Sequence, residues 1–287
     1  MLDKIYDGGQ VGRPESIIEA APLCAKYGIT AMNLPGELLR DPAALRETDR
    51  VIKAHGLHWG MVATPFDTFS EGLSDEAFAE GLETMKRWAE LAAEVGAHHC
   101  YNHIWNGSNL REYDAQREWV VRRAEKLFAV LDGSNIRYGF EFLGPAPLRN
   151  SFRYPFVHSL AGALSIADEI SPRFGFIFDT YHWYCGTGAE PDELYLAAAN
   201  VDRLVNFHVN DGIAGRKREE QQDLERAMPM TTGVIDARRA SELFKARGYR
   251  GLVLCEPMNF WRASMKDKPF EEVVRALAEG YAAIDAE

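Results

Sequence analysis

Four strand-like apolar runs in this chain each end in a residue that could hold a metal ion. They are Gly139-Phe140-Glu141, Phe176-Ile177-Phe178-Asp179, Val205-Asn206-Phe207-His208 and Leu252-Val253-Leu254-Cys255-Glu256. Each ligand-type residue is followed by a loop-like stretch: Gly144-Pro145, Gly186-Thr187-Gly188, Asp211-Gly212 and Pro257. A carboxylate at the end of such a run is costly to bury unless it is paired or metal-bound. Three carboxylates at one place repel one another, and a divalent cation is the simplest remedy. Glu141, Asp179, His208 and Glu256 together offer three carboxylates and one imidazole. That hard, mostly oxygen set suits Mn²⁺ first, with Mg²⁺, Co²⁺ or Zn²⁺ as alternatives.

The elements that must position these residues can be read from the pattern. A buried parallel strand is a near-continuous apolar run. Such runs lie near 2–6, 29–33, 57–63, 97–103, 137–142, 174–179, 204–209 and 251–256. Between and after them, helical segments are expected near 14–27, 41–55, 74–95, 112–132, 159–171, 191–200, 237–247 and 269–284. In 74–95, Phe78, Leu82, Met85, Ala89, Ala92 and Ala93 recur at helical spacing, with Ser74 to start the helix and Gly96 to end it. Eight strand–helix units imply a parallel sheet closed on itself: a single (β/α)₈ barrel spanning 1–287. A charge at the C-terminal tip of a barrel strand sits where that architecture keeps its active site. A doubly wound sheet is the runner-up, but no GxGxxG follows the first strand and no GxxxxGK[ST] occurs. The longest irregular stretches, 143–158 and 211–236, are of a length usually given to binding loops.

The bulk numbers narrow the function classes. With 287 residues, 46% hydrophobic, the chain can build a large core. Its net charge of −11 lacks the basic footprint of a nucleic-acid enzyme. The start, Met1-Leu2-Asp3-Lys4-Ile5-Tyr6-Asp7, has no signal-peptide pattern, and no apolar stretch approaches a membrane span. Cys24, Cys100, Cys185 and Cys255 form no CxxC pair and read as buried free thiols in a reducing compartment. A cytoplasmic protein is expected, acting on a small molecule, with no nucleic acid or membrane partner and with homo-oligomerisation left open.

The motif order carries a resemblance. Glu141, Asp179-Thr180-Tyr181-His182, His208-Val209-Asn210-Asp211, Gly233-Val234-Ile235-Asp236 and Glu256-Pro257 resemble the xylose-isomerase-like sugar isomerase and epimerase superfamily. Its members include D-tagatose 3-epimerase, hydroxypyruvate isomerase, inosose isomerases and dehydratases, and apurinic endonucleases. The resemblance implies one Mn²⁺-type ion on Glu141, Asp179, His208 and Glu256. It also implies that Glu141 and Glu256 act as acid and base on opposite sides of the substrate. His182 would then contact substrate oxygens, as would an arginine shortly after the motif histidine, for which Arg216 is the candidate. His103 and Trp105 follow the fourth strand and are candidate pocket residues. Trp183, next to His182, is a candidate wall for a sugar ring.

The chemistry fits independently. A divalent ion chelated by a ketone oxygen and its neighbouring hydroxyl acidifies the adjacent C–H and stabilises the enediolate. One carboxylate can remove the proton, and a second on the other face can return one. An isomerase or epimerase of a keto-sugar or keto-polyol is the leading expectation. A dehydratase or lyase acting on a keto-inositol or 3-keto-glycoside is the runner-up. After Glu141 the chain reads Phe142-Leu143-Gly144-Pro145-Ala146-Pro147, without the second glutamate that the epimerases carry there. A third reading, an apurinic-type phosphodiesterase, would need an Asp-x-His pair after the seventh strand, and 209–232 holds no histidine.

Overall fold

The computed structural model describes residues 1–285, and eight parallel strands close one barrel. In chain order these are β1 (Asp3–Tyr6), β2 (Ala31–Leu34), β3 (His58–Val62), β4 (His99–Ile104), β5 (Arg137–Phe142), β6 (Gly175–Asp179), β7 (Leu204–Val209) and β8 (Leu252–Cys255). Each strand pairs with the next, and β8 pairs back to β1, with Lys4 opposite Val253. The outer layer is formed by helices Ile17–Lys26, Pro42–Ala54, Asp75–Val95, Tyr113–Asp132, Leu160–Ile170, Pro191–Ala199, Ala237–Ala246 and Phe270–Asp285. All sixteen elements coincide with the segments the sequence pattern predicts, to within a few residues at their ends.

The helix boundaries have local causes. Ser74 accepts a hydrogen bond from the Ala77 amide at 3.1 Å and so caps Asp75–Val95. At the other end Gly96 adopts φ 89°, the left-handed conformation that favours glycine. Along the strands, side chains alternate between two layers. Ile5, Ala31, Met61, Tyr101, Ile177, Val205, Leu252 and Leu254 fill the barrel interior. Their neighbours, such as Tyr6, Phe140, Phe178, Val253 and Cys255, pack under the helices.

The same alternation sends Glu141 and Asp179 inward. β7 needs a correction to achieve this. Its register against β6 skips a residue, so that Phe176 pairs with Leu204 but Ile177 with Asn206. The bulge reverses the parity of the strand beyond it, leaving Phe207 under the helices and His208 facing the interior.

Additional short elements gather at the C-terminal mouth: helices Gly8–Val11, Gly36–Arg40, Ala146–Arg149, Thr180–Thr187 and Asn259–Met265, and the two-residue antiparallel pair Gly107–Ser108 with Tyr154–Pro155. They were not legible as elements in the sequence because each is too short to show a period. All four cysteines are buried and free. Among the described residues, no helix is long and apolar enough to cross a membrane.

Candidate metal centre

Glu141, Asp179, His208 and Glu256 converge at the mouth, at the tips of four successive strands. One ligand atom from each lies within 4.8 Å of all the others, and all four side chains are buried. Two ligands opposite one another across an ion with bonds of about 2.4 Å would stand about 4.8 Å apart. The His208 Nδ1 is 3.0 Å from Glu141 Oε1, 3.7 Å from Glu256 Oε2 and 3.9 Å from Asp179 Oδ2. Its other nitrogen rests against the Asn206 amide at 3.1 Å, so Nδ1 is the atom offered to the centre. Glu141 Oε2 is a buried carboxylate oxygen whose near polar neighbour is His103 Nε2 at 3.1 Å. Three buried carboxylates and one imidazole turned toward one point form a hard donor set, and the residues present fit a divalent ion.

Asp179 shows how local structure orients a ligand. It caps the helix Thr180–Thr187, with Oδ1 accepting from the amides of Tyr181 at 2.6 Å and His182 at 3.0 Å. The Asn210 amide donates to both carboxylate oxygens at 3.2 Å. Oδ2 is thereby turned toward the centre. Glu256 is held in a similar way, with Gln10 Nε2 donating to its Oε1 at 2.6 Å.

A residue not anticipated from the sequence lies against the ligands. Arg226, buried in the loop after β7, donates from Nη1 to Asp179 Oδ2 at 2.9 Å and to Glu256 Oε2. Its Nη2 donates to Asp223 Oδ1 at 2.9 Å, and its guanidinium lies 5.0 Å from the Tyr181 ring centre. Arg216 stands elsewhere, paired with Glu225 and partly exposed. The arginine at the ligand group is therefore Arg226, ten positions further on. The only sequence signal for it is its place in the 211–236 loop, which holds several arginines without a periodic pattern.

Electrostatics follow from these contacts. Burial alone would raise the Glu141 carboxyl, but His208 and His103 outweigh it and hold it well below the usual range. Burial opposes the charge on His208, yet Glu141 and Glu256 push its pKa well above that of a free imidazole. Asp179 is likewise lowered despite its burial, by Arg226 and His182. Three carboxylates bring three negative charges to one point, and the Arg226 cation offsets part of that charge.

The remaining sequence candidates separate. His103 faces the open mouth, with Nε2 3.1 Å from Glu141 Oε2 and its side chain 46% exposed. His182 is fully buried, with Nε2 3.9 Å from Glu141 Oε1 and 3.2 Å from Arg226 Nη2. Its Nδ1 accepts from the Gly144 amide at 3.3 Å, an approach open only because Gly144 lacks the Cβ that would collide with the His182 carbonyl. Trp105 lines a cavity beside His103, with Phe66 and Asp67. Trp183 is not at the pocket. It packs against Phe178 under the helices and donates its indole N–H to the Glu190 carbonyl at 3.0 Å. Successive residues of a helix point about 100° apart, so a helix that aims His182 inward turns Trp183 into the core.

The comparisons with known proteins agree with this architecture. The family model described as xylose isomerase-like TIM barrel matches residues 21–280. The chain belongs to that family. Among solved structures, a xylose isomerase domain protein from Alicyclobacillus acidocaldarius subsp. acidocaldarius superposes with TM-score 0.83 at 24% identity, covering 100% of this chain and 99% of that one. The IolI protein, solved with a bound zinc atom, gives TM-score 0.80 at 14% identity over 99% of this chain and 98% of its own. A 3-keto-D-glucoside 4-epimerase from E. coli gives TM-score 0.73 at 19% identity over all of both chains. At these identities the likenesses speak for the fold. No curated protein matches the chain significantly.

Proposed function

We propose that this protein is a divalent-metal-dependent isomerase or epimerase of a keto-sugar or keto-polyol, working by proton transfer at the carbon next to the carbonyl. The observation that carries the reading is the convergence of Glu141, Asp179, His208 and Glu256 within 4.8 Å at the barrel mouth. A divalent ion bound there, Mn²⁺ first, would supply Lewis acidity to the substrate carbonyl.

The chain's own residues do the rest. Glu141 takes the proton from the carbon, and its Oε2 faces His103, which can pass that proton to the open mouth. Glu256 serves the opposite face, its carboxylate held by Gln10 and Arg226. Both ring nitrogens of His182 face donors, the Gly144 amide and Arg226 Nη2. A neutral imidazole can accept at only one nitrogen. A substrate oxygen inserted at Nε2 would relieve that conflict, which supports His182 as a substrate contact. Arg226 and Arg262, which lie beside Glu256 and its partner Gln10, are both paired with protein acceptors, which favours an unphosphorylated substrate.

The test is solvent exchange. The Mn²⁺-loaded protein incubated with keto-sugars in D₂O should place deuterium next to the ketone, read by NMR, with no loss of water. A product absorbing in the ultraviolet as a conjugated enone would convert the reading to a dehydratase. Cleavage of abasic DNA without sugar exchange would overturn both.

A further inference from the structure

Beside the metal ligands the mouth holds open space whose lining includes none of the four. A cavity of about 530 Å³ lies over the ends of β1 to β4, lined by Asp7, Asn33, Met61, Thr64, Asn102 and His103. That is within the range of roughly 300–1,000 Å³ that ligand pockets occupy. It is continuous, through Thr64, Asn102 and His103, with the space beside Trp105. Of its lining, Tyr101 and His103 reach the centre. The Tyr101 ring stands edge-on to His208 at 5.4 Å, and His103 meets Glu141.

The polar groups of this cavity are fixed before any ligand arrives. The Asn33 amide donates to Asp7 Oδ2 at 2.5 Å, while its oxygen accepts the Met61 amide at 2.8 Å. Asn102 accepts from the Tyr138 hydroxyl at 2.8 Å and donates to Thr64 at 3.2 Å. Asn33 keeps one amide hydrogen, and Asp7 keeps lone pairs, for a further partner. Locked amides and a carboxylate on strand ends recognise hydroxyl groups at low ordering cost. The one arginine of the lining, Arg40, lies over the Trp88 ring at 5.6 Å, and the lining also carries the carboxylates of Glu37 and Asp7. Such a lining disfavours a phosphate and suits a neutral, hydroxylated group.

Resting on the proposed keto-sugar chemistry, we infer that the substrate carries a second glycosyl unit, seated in the cavity of Asp7, Asn33, Thr64 and Asn102 while its keto ring meets the metal centre. The protein would then act on a keto-disaccharide or another keto-glycoside in preference to a free keto-monosaccharide.

The experiment compares 3-ketoglucose with the same ring bearing a glucosyl substituent, both with Mn²⁺-loaded protein in D₂O, with loading checked by elemental analysis. The expected result is a kcat/KM for exchange at least about tenfold higher for the disaccharide. Asn33→Ala and, separately, Thr64→Val should lower that ratio toward unity, with thermal unfolding confirming that each variant is folded. Equal kcat/KM for the two compounds in the wild type would overturn the inference and leave the proposed chemistry standing. So would folded variants that keep the wild-type ratio. Exchange on neither compound, in fully loaded protein, would instead sink the keto-sugar reading on which the inference rests.

Discussion

Strands β5 to β8 end in Glu141, Asp179, His208 and Glu256, all buried and within reach of one another. Around the ends of β1 to β4, by contrast, Asp7, Asn33, Thr64 and His103 border about 530 Å³ of open space. One half of the mouth concentrates charge and relieves it with an arginine or an ion. The other spreads neutral and singly charged polar groups around a volume and ties them to one another. Repulsion among three carboxylates makes the first half hold a cation. The preset amides of the second are what the proposed hydroxylated substrate would meet. A barrel whose strands are equivalent in backbone can thus divide chemistry from recognition through side chains alone.

The largest way to break this contrast is to disarm the charged half. Glu141→Gln or Glu256→Gln should lower kcat by about 10²–10⁴, the span of a lost general acid or base. Metal content measured in parallel separates lost chemistry from lost ion. A variant that turns over normally while loaded would remove that glutamate from the mechanism.

Arg226→Met probes the charge balance. Removing one partner of a buried ion pair costs about 3–5 kcal/mol. Asp179, Glu256 and Asp223 all lean on this guanidinium. The metal-free variant should therefore unfold at a lower temperature, while Mn²⁺ binds more tightly because a competing cation is gone. Calorimetric titration reads the affinity. Weaker Mn²⁺ binding would instead mark Arg226 as a support that the ligands need.

A subtler probe uses pH. In the metal-free protein His208 holds its proton to a higher pH than in the unfolded chain, because Glu141 and Glu256 outweigh its burial. The stability this gives is complete below the ordinary histidine pKa, about 6.5, and is lost as pH rises through the raised folded value. An ion at Nδ1 must displace that proton. Mn²⁺ affinity should therefore climb about tenfold per pH unit until the raised pKa is passed. A flat profile between pH 6 and 8 would count against Nδ1 as a ligand.

The smallest expected effect separates two neighbours. His182→Ala should reduce kcat/KM about tenfold, the scale of one hydrogen bond, with metal content nearly unchanged. Trp183→Phe should cost only stability, about 1 kcal/mol for the lost bond to Glu190. A large rise in KM for the Trp183 variant would return that residue to the pocket.

The metal half was legible because its signal is local: an apolar run ending in a charge places that charge at a strand tip, and alternation decides its face. For His208 that rule needed the β7 bulge, which the letters of Val205-Asn206-Phe207-His208 do not announce. Arg226 was missed, and Arg216 taken in its stead, because a loop has no period to aim its side chains. The Ala227–Asp211 pairing, the Met258 amide on the Arg226 carbonyl and the bond from Arg226 Nε to the Asp223 carbonyl place it. Of the other half only His103 and Trp105 were legible, as residues at the end of the fourth strand; Asp7, Asn33, Thr64 and Asn102 come from four strands or the loops just past them and acquire meaning only when the barrel closes.

Asp179 accepts hydrogen bonds from two backbone amides, from Asn210 and from Arg226. Its rotamer is therefore fixed by the helix Thr180–Thr187 and its neighbours, without any ion. The conformational entropy of that side chain is lost in folding rather than in loading. Ion capture at this position should accordingly show little ordering, and its rate should be governed by how quickly the guanidinium gives way.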